Sequence, residues 1–507
     1  MYGTFWSLVP PVLAIFLALT IKEAYSSLFI GVLVGALFCA EFHPIKTLDI
    51  IVNDGLATAI VNNAGLFLFL VLLGILVALV NKSGGSAAFG RWAEKRIRSR
   101  VGACLATFLL GILIFIDDYF NCLTVGSVMR PVTDSHKISR AKLAYLIDAT
   151  AAPVCMIAPI SSWAASVSGV ANDLDTGISG IQLFIRAIPY NFYSLFTLVF
   201  IIAITLMKAD YGPMRLAEMN AQLNGNLGAL EGTAGRSSNS KGKVADLIIP
   251  VMVLIISCTV GMIYVGGYFG VDAWGGTDCA GNFIAAFGNT DAFIALPWGG
   301  VITLLFAVIY FSCRKVITFK EAMECVTEGF FAMVPPMLIL TLAVSLKAMT
   351  SSLGAADFVH DIMQGAAAGL YTLLPAVIFI VACLLAFASG TSWGTFGILI
   401  PIVVAIFPAD STLLIIGISA CCAGAVCGDH CSPISDTTIM ASTGAQVEHL
   451  SHVSTQLPYA ITVAAISFVT YIIAGFVQNA VLCILIGSLL TVAVLFVVRT
   501  VTAKKAS

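Results

Sequence analysis

From Tyr459 to Val477 the chain carries no charged side chain, and the same holds from Ala292 to Ser312. A helix needs about 20 apolar residues to cross a hydrocarbon layer of about 30 Å. In that layer each backbone polar group must be satisfied within the structure, so only helices or closed barrels span it. The alternating ten-residue strands of a barrel are absent from this sequence. Asp, Glu, Lys and Arg make up 10% of the 507 residues and hydrophobic types 59%, with a mean hydropathy of +1.00. A soluble domain carries about 25% charged residues, so this chain lacks the means to cover a wet surface. The expected fold class is an all-α polytopic membrane protein whose standing partner is lipid. A net charge of −2 without basic blocks excludes nucleic acid as a partner. The first apolar span has no basic n-region or small-residue cleavage site and reads as a retained transmembrane helix.

The apolar runs predict spans at 5–21, 24–42, 62–81, 141–170 and 183–207 in the first half, with a broken pair over 101–131. In the second half they lie at 245–267, 292–312, 333–349, 411–443 and 456–476, with a second broken pair over 371–407, and 479–499 follows. Basic residues orient them. Arg91, Lys95, Arg96, Arg98 and Arg100 precede 101–131, while Arg130, Lys137, Arg140 and Lys142 follow it. By the positive-inside rule both ends are cytoplasmic, so the segment enters and leaves on one face as a re-entrant hairpin. Outer loops such as 267–291 carry Asp without Lys or Arg, and the second hairpin is entered from that side. Of the 25 Lys and Arg, only Lys46, Arg186 and Lys347 fall outside the cytoplasmic assignments. The N-terminus is thus outside and the C-terminus cytoplasmic. Residues 208–244 are Gly-, Asn- and Ser-rich and read as a flexible cytoplasmic linker.

Two hairpins of opposite entry imply an inverted repeat, and the sequence contains matching landmarks. Ser83, Ala87 and Ala88 recur as Ser351, Ala355 and Ala356, 268 residues on. Pro131 matches Pro401 at an offset of 270, and Pro159-Ile160-Ser161 matches Pro433-Ile434-Ser435 at 274. Repeats of five crossings plus a hairpin are expected at 1–207 and 245–477, with an extra helix and cytoplasmic tail at 478–507. Inverted repeats with broken helices characterise secondary transporters, whose site lies at the midplane between the halves.

Four stretches are expected to be non-helical: Asp117–Gly126, Ala158–Ser166, Ser389–Gly397 and Gly428–Thr438. They concentrate hard oxygen donors suited to a dehydrated alkali cation. One candidate site draws on Asp117, Asp118, Asn121 and Thr124 with Ser161 and Ser162. Its pseudo-symmetric partner draws on Thr391, Ser392 and Thr395 with Asp429, Ser435, Asp436 and Thr437, and Na⁺ is assigned to Asp436, Ser435 and Thr391. A carboxylate in such a place binds Na⁺ or a proton in competition, which is the simplest exchanger. Asp148, His430 and Lys347 are candidates for coupling or charge pairing. Their ordinary alternatives are a structural hydrogen bond for Asp148, a bonded interior imidazole for His430 and snorkelling for Lys347.

The motifs Gly428-Asp-His-Cys-Ser-Pro-Ile-Ser-Asp-Thr-Thr438 and Ser389-Gly-Thr-Ser-Trp-Gly-Thr-Phe-Gly397 resemble the NhaC-type sodium/proton antiporter family. Ile116-Asp-Asp-Tyr-Phe120 and Pro159-Ile-Ser-Ser-Trp163 fit its first half, and the likeness runs from about residue 5 to 476. The resemblance implies an elevator-type fold of the ion-transporter superfamily in a bacterial inner membrane, working as a homodimer. It implies Na⁺/H⁺ exchange without a cofactor, or ion-coupled exchange of a small organic acid or amino acid.

Competing readings are weaker. Cys421, Cys422, Cys427 and Cys431 match no zinc spacing and serve as small apolar residues. Gly390-Thr-Ser392-Trp-Gly394 matches a serine-hydrolase elbow, but its context is an apolar helix rather than a strand. The absence of a P-loop pattern removes ATP hydrolysis as the driver, and the chain reads as a transporter, not an enzyme.

Overall fold

Capping residues and prolines punctuate the apolar runs, and the helices form between them. The computed structural model describes residues 1–504 apart from 22, 116–117, 160, 162, 165–166, 168–179, 231–240, 274, 356, 359–370 and 409–410. Among the described residues every regular element is helical, and one isolated bridge joins Ala229 to Val447. The first half contains α1 (Val9–Ile21), α2 (Ala24–Cys39), α3 (Pro44–Asp49), α4 (Thr58–Asn62), α5 (Ala64–Ser83) and α6 (Gly85–Arg96). It continues with α7 (Arg100–Leu113), α8 (Asp118–Ser135), α9 (Arg140–Asp148), α10 (Ala152–Cys155), α11 (Gly180–Ala187) and α12 (Phe192–Met207). After α13 (Gly212–Leu223) come α14 (Ala245–Val265), α15 (Phe283–Gly288), α16 (Ala292–Cys313) and α17 (Phe319–Ser352). The chain ends with α18 (Leu374–Ser389), α19 (Ser392–Ile406), α20 (Thr412–Cys431), α21 (Asp436–Ala445), α22 (His449–Val477) and α23 (Ala480–Lys504). Seven described helices are long and apolar enough to cross a membrane, and the pair Gln182–Tyr190 and Phe192–Met207, bent by 47°, makes an eighth candidate. Leu305, Ile309 and Leu489 point outward on α16 and α23, as lipid-facing residues do.

The helices pack in two groups. In one, α5, α14, α16 and α17 lie on one another and α17 on α2. In the other, α18 packs on α20, α8 on α21 and α9, and α22 on α20 and α12. Lipid tails are as apolar as the side chains, so close backbone approach over small residues holds such helices together. A Cβ on Gly428 would lie 2.2 Å from Cys383 O, and one on Gly424 would lie 2.5 Å from Phe379 O. These two glycines seat α20 directly on α18.

The order of helical hairpin and then broken helix occurs in both halves, but the interruptions are tighter than the sequence suggests. Residues 118–126 lie in α8 and 392–397 in α19, so both hairpin tips are shorter than expected. Helix α20 runs on through Gly428–Cys431 and breaks only over Ser432–Ser435, because Pro433 lacks an N–H and forces Ser432 into extended geometry. The first-half helix has an additional break at 149–151, since the ring of Pro153 would meet the carbonyl four residues earlier, and it is interrupted again after Cys155, where residues 158, 159 and 161 are non-helical as expected. Helix α17 starts at Phe319 rather than near 333, because Thr318 and Glu321 form a capping box that carries the helix through its charged first turns.

The linker also corrects expectation. Its start folds as α13, where Glu218 accepts from Ser139 N at 2.8 Å and pairs with Arg100. Asp210 takes Lys142 Nζ at 2.5 Å and Tyr459 OH at 2.6 Å. Long-range ion pairs therefore order a stretch whose composition alone reads as flexible.

Candidate functional site

At the second hairpin tip α18 stops at Ser389, Gly390 turns with φ 63°, and Thr391 caps α19 by accepting from Gly394 N at 3.3 Å. Only glycine suits this turn for a second reason as well. A Cβ at Gly390 would meet Ile434 O at 2.6 Å, so the tip rests against the break in the α20–α21 helix. Gly390→Ala is expected to cost at least about 2 kcal/mol through left-handed strain plus that clash, readable as a lower melting temperature in detergent.

This contact assembles the site. Ser392 Oγ donates to Asp429 Oδ2 at 3.0 Å, and Thr437 Oγ1 approaches the same oxygen at 3.4 Å. Ser435 Oγ lies 2.9 Å from Thr437 Oγ1 and caps α21. Asp429 is 2% exposed, and its Oδ1 is buried without a hydrogen-bond partner. Among the described residues no Lys, Arg or His forms an ion pair with it. The C-terminal ends of α18 and α20 meet here, where Ser432 Oγ donates to Phe387 O at 2.8 Å.

Asp436, which the sequence places in the cation set, points elsewhere. Its Oδ2 accepts from Tyr119 OH at 2.7 Å across the two halves, and its Oδ1 accepts from Thr437 N at 3.0 Å. It is half-buried and shares a cavity with Lys347, Ser389, Gly390 and Ile434. Thr391 is spent on its cap, and Thr395 Oγ1 donates to Thr391 O at 2.8 Å.

The first-half residues are buried too, but largely engaged in holding the backbone. Asn121 Nδ2 donates to Gly111 O at 2.7 Å, Ile114 O at 2.8 Å and Thr150 O at 3.2 Å, tying hairpin tip to helix break. Its Oδ1 and the hydroxyl of Thr124 are buried without hydrogen-bond partners. Ser161 Oγ donates to Cys155 O at 2.7 Å and accepts from Ala164 N at 3.1 Å. Asp118 is buried at the start of α8. Asp117 and Ser162 lie outside the described residues. Hairpin and broken helix interlock across the halves: a Cβ on Gly126 would lie 2.4 Å from Gly444 O, and Trp163 meets Trp393 edge-on at 6.1 Å.

Asp148 and His430 fall together in a separate buried group with Tyr193, His452 and Gln456. Tyr193 OH is 2.8 Å from His430 Nδ1. The sequence reading missed His452 and Gln456, although their i,i+4 spacing just ahead of the apolar run 456–476 marks a polar face on α22.

Known proteins and a family model match this chain in sequence. An uncharacterized protein of Haemophilus influenzae is 36% identical over 94% of this chain and 91% of its own length. The malate-2H(+)/Na(+)-lactate antiporter of Bacillus subtilis is 27% identical over 39% of this chain and 42% of its own. An arginine/ornithine antiporter of Halobacterium salinarum is 38% identical over 21% of this chain and 23% of its own. The family model described as the Na+/H+ antiporter family matches residues 154–476, which hold the second hairpin, the Asp429 group and Asp436. This multi-pass membrane protein is therefore an antiporter of the Na+/H+ antiporter family.

Proposed function

We propose that the chain exchanges Na⁺ for H⁺ at the Asp429 group by alternating access. The observation that carries this reading is a buried carboxylate with hydroxyl donors and no described basic partner. An uncompensated buried charge is costly, so a proton or a small cation must neutralise it. The two occupants exclude each other, and that exclusion is exchange. Ser392, Ser435 and Thr437 offer the oxygen ligands that suit Na⁺. The cation set expected at Asp436, Ser435 and Thr391 is re-centred on Asp429 in this proposal. At an offset of 274, Cys155 stands where Asp429 does in the other half, so one half alone carries the exchanging acid.

The proposal extends to an elevator motion in which the hairpin and broken-helix group moves against the α2–α5–α14–α16–α17 group. It also includes inverted repeats, a bacterial inner-membrane location with a cytoplasmic C-terminus, and a homodimer. No cofactor is required. The distribution of Lys and Arg supports the cytoplasmic C-terminus, and the two helix groups support the motion of one against the other.

Purified protein in liposomes is expected to move protons in response to a Na⁺ gradient without ATP, and a requirement for ATP would refute the reading. Na⁺ is expected to raise the melting temperature, by about 2.7 kcal/mol of added stability at 100 times its dissociation constant. A second reading, exchange of an organic acid or amino acid, is favoured by the cavity that Lys347 and Asp436 share. The names of the Bacillus subtilis and Halobacterium salinarum relatives support it. Stabilisation by malate, lactate or an amino acid, lost in Lys347→Met, with none by Na⁺ alone, would put this reading first.

A further inference from the structure

Helix α9 ends on a second buried carboxylate that the Asp429 group does not use. Asp148 is 1% exposed, and its described contacts converge on one oxygen. Gln456 Nε2 donates to Oδ2 at 2.8 Å, His452 Nε2 lies 3.2 Å from it, and His430 Nε2 lies 3.9 Å from it. Asp148 Oδ1, His452 Nδ1 and Gln456 Oε1 are buried without hydrogen-bond partners.

We propose that Asp148 and His452 form a second proton-binding site, whose occupancy sets the pH dependence of exchange; this rests on the exchanger reading above. Two facts support it. A buried carboxylate needs a counter-charge, and the described ion pairs give Asp148 only imidazoles. The nearest ammonium on α9, Lys142, is committed to Asp210. Imidazole is the side chain whose ordinary charge change falls near neutral pH.

From α20 come His430, Cys427 and Cys431, while Asp429 turns away to Ser392. From α12 comes Tyr193, and Tyr145 of α9 stacks on His430 at 6.3 Å. His449 of α22 is engaged with Pro433 O at 2.7 Å and Ser442 at 3.2 Å.

The pair is also placed to influence the cation site. Gln456 Nε2 donates both to Asp148 and, at 2.6 Å, to His430 O. That carbonyl belongs to the last turn of α20, whose preceding residue is Asp429. Protonation at Asp148–His452 therefore bears on the helix end that holds the exchanging acid.

The test uses full-length protein in liposomes and two readouts: tracer Na⁺–Na⁺ exchange, which moves no proton, and Na⁺-driven proton movement. His452→Gln is expected to retain tracer exchange while losing the rate's variation between about pH 5 and 8, where imidazole changes charge. Asp148→Asn, close to the native shape, is the second variant and is expected to lose the same dependence. Active variants with the wild-type pH profile, or a wild-type rate that is flat across that interval, would overturn this inference alone. A wild-type protein inert to Na⁺ would overturn the parent reading and this inference with it.

Discussion

Asp429→Asn is expected to abolish Na⁺-driven proton movement, lowering the rate by about 100-fold or more while leaving the protein folded. The asparagine oxygen still accepts from Ser392 and Thr437, so the local hydrogen bonds at 3.0 and 3.4 Å survive. What is lost is the negative charge. A dehydrated cation bound there without the carboxylate would be an uncompensated buried charge, a penalty of about 3–5 kcal/mol, and each 1.4 kcal/mol is tenfold in affinity. Asp436→Asn is expected to lose less, about tenfold, because its carboxylate is half-buried and keeps Tyr119 as a donor. The ranking is the test, read as initial rates in liposomes with Na⁺ binding followed by thermal shift. Intact exchange in Asp429→Asn and complete loss in Asp436→Asn would return the cation to the Asp436 set.

The contrast between these two acids shows what the sequence makes legible. Pro433 and Gly390 announce the break and the tip, because a missing N–H and a positive φ are properties of single residues. Which acid faces the hydroxyls depends on where α20 stops. Asp429 and Asp436 lie seven positions apart, and continuation of the helix through Cys431 turns the former toward Ser392. The long spans were legible for the same local reason, since apolar length is read directly, whereas the spans expected at 5–21, 24–42 and 141–170 form helices too short to be counted among the described crossings. Contacts between distant residues were not. His452 meets Asp148 across 304 positions, and Glu218 orders α13 by reaching Ser139 and Arg100. No local pattern encodes such a meeting; it follows from how the helices pack.

A packing contact of that kind governs the last expectation, the loss of folded protein on replacing Arg140 with Leu. Arg140 begins α9 with its guanidinium buried. Nε and Nη2 donate to the two oxygens of Asp134 at 2.7 Å each, and Nη1 donates to Ala445 O at 2.7 Å. Its backbone N donates to Leu227 O at 2.8 Å. One side chain thus ties the end of α8 to the last carbonyls of α21, with the linker held alongside. Removing it strands a carboxylate and a helix-terminal carbonyl, a loss of about 3–5 kcal/mol for the broken ion pair. Lysine is expected to rescue little, since a point ammonium cannot reproduce a planar fork that serves two acceptor groups. The double replacement Arg140→Leu with Asp134→Leu is expected to recover part of the loss, because the carboxylate that Arg140→Leu strands is removed with it. Ala445 O stays unsatisfied, which withholds about 1–3 kcal/mol of the recovery. Melting temperatures in detergent for the two single variants and the double variant test this. Additive losses would deny the coupling, and a wild-type melting temperature for Arg140→Leu would show that the tie does not hold the two halves together.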